Sequence, residues 1–325
     1  MMTVAPLRRR PLGRSGLSVT ELSLGGAALG NLFTAVDDAA AAATIDAAWD
    51  GGIRLFDTAP HYGLGLSERR LGAALRGRPR DDYLISTKVG RLLLPADPPY
   101  PPDTEGFAVP AAHLRRFDFT AGGVRKSLEE SLGRLGLDRV DIALIHDPDD
   151  HGQQALTQAY PALERLRAQG VVRAIGAGMN QAGMLTRFVR ETNIDVVLIA
   201  GRYTLLDQRA ADELLPAAAD RGVGVIAGGV FNSGLLADPA DNARFDYHRA
   251  PPPMLRRARE LDAICRSHGV PLRAAAARYP LSHPAVSTVL IGARNPAEIN
   301  DAIKQHELTI PAALWDALRA EGGTR

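Results

Sequence analysis

The chain has 325 residues, 46% of them hydrophobic and 23% charged, an ordinary globular composition with enough apolar side chain to close a core without staples. Lys and Arg number 38 and Asp and Glu 37, so the formal charge of +1 sets up no overall field for nucleic acid or an anionic membrane, and small molecules are the expected partners. The single cysteine, Cys265, rules out an intrachain disulfide and a zinc-type Cys/His cluster; the cytoplasm is the expected compartment and no metal is expected.

At the start, Arg8, Arg9 and Arg10 are expected to form a solvated end, since no apolar run of signal-peptide length precedes Pro11 and Gly13. Residues 9–19, around Leu12-Gly13-Arg14-Ser15-Gly16-Leu17, predict a hairpin that plugs a barrel floor. Strands are expected at 22–26, 55–59, 83–89, 142–146, 174–177, 196–200, 223–227 and 288–291. All are short and almost continuously apolar, as parallel strands buried on both faces are. Helices alternate with them at 38–51, 68–75, 120–135, 154–169, 182–191, 210–221 and 296–305, with Thr120 as an N-cap and Gly136, Gly170 and Gly222 as stops.

This repeated strand–helix order without a composition break predicts an α/β fold, a (β/α)₈ TIM barrel spanning 1–325 as one domain. Helical stretches at 255–268, after Pro271 and at 311–318 are extra to the repeat, and Cys265 sits in the first as a packed thiol. Two insertions, 95–119 after the third strand and 227–253 after the seventh, fall where barrel loops carry the catalytic face, and are expected to wall or cover a pocket. Trp49 and Trp315 lie in helical patterns away from strand ends, which makes them poor substrate contacts.

Chemistry-bearing residues gather at the carboxyl ends of neighbouring strands. The second ends in Phe56-Asp57-Thr58-Ala59 with His61-Tyr62-Gly63 in its loop, the third contains Ser86-Thr87-Lys88-Val89, and the fourth ends in Ile145-His146-Asp147. Together Asp57, Tyr62, Lys88 and His146 form an acid/base set. The Lys88 ammonium is expected to lower the Tyr62 phenol from its aqueous value near 10, Asp57 to hold Lys88 charged, and His146 to bond a substrate oxygen. An ammonium in an apolar strand is costly unless it is paired, which argues against ornament.

Asp57-Thr58-Ala59-Pro60-His61-Tyr62-Gly63 with Ser67-Glu68, then Ser86-Thr87-Lys88 and Ile145-His146, resembles the Asp, Tyr, Lys, His tetrad of the aldo-keto reductases, and the resemblance spans nearly the whole chain. Segments 176–180, 200–208 and 229–236 are most similar to those of bacterial aldose 1-dehydrogenases of the L-fucose or D-threo-aldose kind, with pyridoxal and L-galactose dehydrogenases near. The resemblance implies oxidation of an anomeric C1 hydroxyl to a lactone with a nicotinamide dinucleotide bound without a Rossmann fingerprint, which this chain lacks. It further implies that Gly26, Asp57, Met179 and Asn180 lie near the nicotinamide, Tyr203 stacks on its ring, and Phe231, Asn232, Ser233, Gly234 and Leu235 wrap the pyrophosphate. Gly292, Ala293, Arg294, Glu298 and Asp301 would surround the adenosine.

Gly292 and Glu298 stand where many NADP-preferring relatives have a Lys and an Arg, and a carboxylate repels a 2′-phosphate while accepting from a ribose diol, so NAD is expected, with NADP open through Arg294. Ala200 and Ala302 replace a carboxamide-binding Gln and an adenine-binding Asn of the family. Pyridoxal 4-dehydrogenase and NADPH-dependent aldehyde or ketone reductase activities, or an idle cofactor-binding barrel, are the alternatives.

Overall fold

A computed structural model describes residues 7–322. Eight parallel strands close a barrel in the order β3 (Leu22–Gly25), β4 (Leu55–Asp57), β5 (Leu84–Val89), β8 (Ile142–His146), β9 (Ala174–Met179), β10 (Val196–Ala200), β11 (Gly224–Gly228) and β14 (Val286–Gly292), with β14 pairing back onto β3. The expected (β/α)₈ fold is thus the one adopted.

Side-chain parity divides each strand between two cores. Leu55, Leu84, Ile142, Leu144, Ala174, Val196, Leu198, Ile226 and Leu290 fill the barrel, whereas Phe56, Ile85, Ala143, Ile145, Ile175, Ala177, Val197 and Ile199 face the helices. The N-terminal hairpin, β1 (Arg9–Pro11) paired with β2 (Ser18–Thr20), adds Leu12, Leu17 and Val19 to the interior cluster and so closes the floor. The solvated-end reading of the three arginines needs correction. Met1–Pro6 lie outside the described residues and Arg8 and Arg9 are exposed, but Arg10 donates to buried Glu21 at 2.5 Å and to the carbonyls of Leu281 and Val286.

The outer layer is α1 (Asp38–Asp50), α2 (Leu66–Leu75), α3 (Ala121–Leu135), α4 (Gly152–Gln154) continued through a π-turn (Ala155–Ala159) into α5 (Tyr160–Ala168), α6 (Ala182–Glu191), α7 (Leu214–Arg221), α8 (Pro252–Ser267), α9 (Leu272–Arg278), α10 (Pro296–Glu307) and α11 (Ala312–Ala320). Thr120 accepts from Gly123 N–H at the head of α3, and Gly136, in a left-handed conformation, ends it. Cys265 is wholly buried in α8, with its thiol pushed up to about 12 by burial, so it packs and does not react.

Neither insertion is irregular throughout. The first is anchored by an antiparallel hairpin that starts four residues before the expected bound, β6 (Arg91–Pro95) with β7 (His113–Phe117). The second carries a minimal hairpin, β12 (Arg244–Phe245) with β13 (His248–Arg249), whose turn residues Asp246 and Tyr247 have φ of 48° and 68°. Among the described residues no helix is long and apolar enough to cross a membrane.

Candidate active site

Inward parity puts Asp57, Lys88 and His146 at the top of the barrel interior, above Leu55, Leu84 and Leu144. Lys88 is 1% exposed, and its Nζ donates to Asp57 Oδ2 at 2.7 Å and to the Thr58 carbonyl at 2.9 Å. Burial opposes its charge, yet Asp57 and Tyr62 outweigh that and raise the lysine above its ordinary value. The second carboxylate oxygen, Asp57 Oδ1, is buried with no partner.

Lys88 Nζ sits 4.6 Å from the centre of the Tyr62 ring, and the ring meets that of His146 edge-on at 5.9 Å. The Tyr62 loop is set by close backbone approach: a Cβ on Gly63, which has φ of 62°, would lie 2.2 Å from the Gly30 carbonyl oxygen. Beneath the loop, Thr58 donates to Ser67 at 2.8 Å, and buried Glu68 accepts from Thr87 and Arg134 at 2.8 and 2.5 Å, which ties α2 to the residue preceding Lys88.

One expectation about this cluster is overturned. The Tyr62 phenol is pushed up to about 12, not lowered, because burial of the anion outweighs the Lys88 ammonium that favours it. The protein on its own therefore holds Tyr62 as a proton donor. His146 lies well below its ordinary value through burial, then Arg91, Lys88 and His61, so it is a neutral imidazole. His61 is driven down to about 2 by burial, with Arg91, Arg115 and Lys88 adding to it. Its ring packs against Phe107 at 5.0 Å and His146 at 5.7 Å.

An elongated cavity of about 550 Å³ opens beside Tyr62 and Asp57, within the usual range for a small-molecule site. Gly26, Asn180 and the run Phe231-Asn232-Ser233-Gly234 line its middle, and Gly292, Arg294, Glu298 and Asp301 its far end. Asn232 and Ser233 have φ of 46° and 59° and Gly234 of 104°, and a Cβ on Gly234 would meet nothing within 4 Å, so this bend leaves open space over the cavity. Asn232 Oδ1 is buried without a partner.

Four expected contacts are not walls of this cavity. Met179 has the outward parity of Ile175 and Ala177 and packs into the helix-facing core, Leu235 and Ala293 are fully buried, and Tyr203 packs on Tyr279 at 5.1 Å.

Several residues that line or flank the site were not foreseen. Tyr247, at the turn of the β12–β13 hairpin, lines the cavity together with Asn180 and packs 6.3 Å from Phe33. From the first insertion, Phe107 packs 6.1 Å from Tyr62, held by Phe33 N–H to the Gly106 carbonyl and Ala108 N–H to the Asn31 carbonyl. Arg273 enters from α9 and pairs with Asp301 at 2.7 Å. Phe107 lies in the short apolar run Phe107-Ala108-Val109 inside a stretch rich in Pro, Asp and Gly, and that run is the signal the sequence carried for it.

Residues 21–320 match the model of the aldo/keto reductase family, and the chain belongs to that family. It is 49% identical to a D-threo-aldose 1-dehydrogenase from Pseudomonas sp, over 94% of each chain, and 42% identical to a pyridoxal 4-dehydrogenase from Microbacterium luteolum, over 97% of each. Its structure is similar to that of the holo form of aldo-keto reductase AKR11C1 from Bacillus halodurans, with TM-score 0.76 and 26% identity over 97% of this chain and 96% of the other. The chain is accordingly an oxidoreductase enzyme of a family that uses nicotinamide cofactors.

Proposed function

We propose that this enzyme oxidises the C1 hydroxyl of an aldose to the lactone, with NAD preferred over NADP. The observation that carries the reading is the buried Lys88–Asp57 pair against Tyr62 at one end of a cavity whose other end is built from Glu298 and Asp301.

The cavity suits a nicotinamide dinucleotide: it is long, roofed by an open backbone bend at Ser233-Gly234, and its far end offers acceptors for a ribose diol. Glu298 takes both the backbone N–H of Arg294, at 2.9 Å, and its guanidinium, at 2.7 Å. Two cations line that end, and each is engaged by a carboxylate, Arg294 by Glu298 and Arg273 by Asp301 at 2.7 Å, which leaves a 2′-phosphate no free partner among them and supports NAD. When bound, the nicotinamide supplies the hydride acceptor and, oxidised, a positive charge.

Tyr62 exchanges the proton of the reacting oxygen. In the direction of oxidation its phenolate takes the C1 hydroxyl proton as the C1–H bond gives up its hydride, leaving a carbonyl at C1; in reduction the same phenol donates. Lys88 stabilises the phenolate, Asp57 keeps Lys88 charged, and neutral His146 orients the oxygen without adding a cation. Oxidation of pyridoxal is a second reading, favoured by the aromatic side chains Phe107, Tyr247 and Phe33 at this end of the site. A panel of aldoses and pyridoxal, each with NAD and with NADP, separates the two: turnover of pyridoxal with no aldose oxidised would displace the first reading.

A further inference from the structure

We propose that the catalytic end of the site is a charge filter: two arginines reach it, each is neutralised by a carboxylate of this chain, and the enzyme therefore admits uncharged substrates and rejects phosphorylated or carboxylated ones. The proposal rests on Tyr62 and His146 marking the reacting end, and it goes beyond the aldose reading by naming what sets the charge of the substrate.

Arg91 and Arg115 both come from the β6–β7 hairpin. Arg91, with 10% of its side chain exposed, pairs with Asp147, and that same carboxylate oxygen, Oδ2, lies 3.3 Å from His146 Nε2. Arg115, 11% exposed, is held by Asp103 in a two-pronged pair at 2.5 and 3.1 Å and donates to the His61 carbonyl at 3.3 Å. Neither Nε has an acceptor. Both cations are close enough to help keep His61 neutral.

Unmasked, a guanidinium with so little water around it would take a phosphate or carboxylate through paired hydrogen bonds. Masked, the pair presents a nearly neutral dipole, and Asp147, with 27% of its side chain exposed, would repel an anion approaching His146. The backbone is held in strain to place it: Asp147 has φ of 42°, a left-handed conformation for a residue with a Cβ, and such strain gathers at functional sites. A neutral polyol meets no such penalty, since its hydroxyls can donate to the carboxylate.

The test compares glyceraldehyde with glyceraldehyde 3-phosphate in the reductive direction, with the reduced nucleotide in excess. The wild type should prefer the neutral aldehyde by about 100-fold or more in kcat/KM, and Asp147→Asn should narrow that ratio at least about tenfold, chiefly by lowering KM for the phosphorylated one. Asp147→Glu should keep the wild-type ratio, and Asp103→Asn should act in the same direction as Asp147→Asn. The proposal is overturned if the wild type handles both aldehydes equally. It is also overturned if Asp147→Asn, still quenching reduced-nucleotide fluorescence on binding, leaves the ratio within about twofold. Because the aldehyde pair is read in reduction, failure to oxidise any aldose would refute the aldose reading and leave this test standing.

Discussion

Replacing Lys88 by Met separates what the buried pair does for the fold from what it does for chemistry. The substitution leaves the Asp57 carboxylate 2% exposed, with its partner 2.7 Å away gone and its other oxygen already without one. Breaking a buried ion pair from one side costs about 3–5 kcal/mol because a charge remains buried and uncompensated. With an unfolding entropy of roughly 2.1 cal/mol/K per residue, a chain of this length should lose about 4–7 °C in Tm. The double variant Asp57→Asn, Lys88→Met removes both charges, and most of that loss should return, since a neutral pair of similar volume is often no worse than the salt bridge. Turnover should not return, because the phenol, already at about 12 with Lys88 in place, then has no neighbouring ammonium to stabilise its anion. Calorimetric melting and steady-state rates on Lys88→Met, Asp57→Asn and the double variant form the assay. If the double variant melts at the sum of the two single losses, the ion-pair argument fails; if it recovers rate along with stability, Lys88 has no part in the chemistry.

Other perturbations follow from the same geometry. Tyr62→Phe should cut kcat by about 10²–10⁴-fold and leave nucleotide affinity, measured by fluorescence quenching, within twofold. Glu298→Gln should release Arg294 and move the ratio of NADP to NAD dissociation constants towards NADP by about tenfold or more, read by calorimetric titration; an unchanged ratio would remove Glu298 from the cofactor argument. Buried His306, lowered to about 4 chiefly by burial and then by Arg278, binds its proton more weakly folded than unfolded. Its contribution is therefore fully present above about pH 6.5 and is lost as pH falls towards 4, a loss of about 3 kcal/mol over that window. His306→Gln should flatten the urea midpoint against pH there, and a wild-type midpoint that stays level from 6.5 to 4.5 would contradict this.

The barrel was legible because its strands and helices differ in period and because Gly136 and Gly222 mark where helices stop, so the expected bounds fall within a few residues of the observed ones. The tetrad was legible for a related reason: Asp57, Lys88 and His146 stand at the inward parity of short strands, where a charged or polar residue interrupts an apolar run. The same parity rule places Met179 outside the cavity, and resemblance alone did not apply it.

What stayed hidden depends on the depth of burial and on contacts distant in sequence. The sign of the Tyr62 shift turns on how completely the phenol is enclosed, which residue types do not encode. Arg91 finds Asp147 across 56 positions, with no periodic signal linking them. Tyr247 reaches the cavity through a turn in which Asp246 and Tyr247 themselves take positive φ, where Asn and Gly would have announced a hairpin.

The most direct test of the central claim is the growth of reduced-nicotinamide absorbance when the purified enzyme is given NAD or NADP with L-fucose and other aldoses at alkaline pH. Aldose oxidation with NAD as the faster cofactor is the predicted result. Silence with every aldose, while NADPH is consumed with simple aldehydes, would contradict it and make the enzyme a reductase.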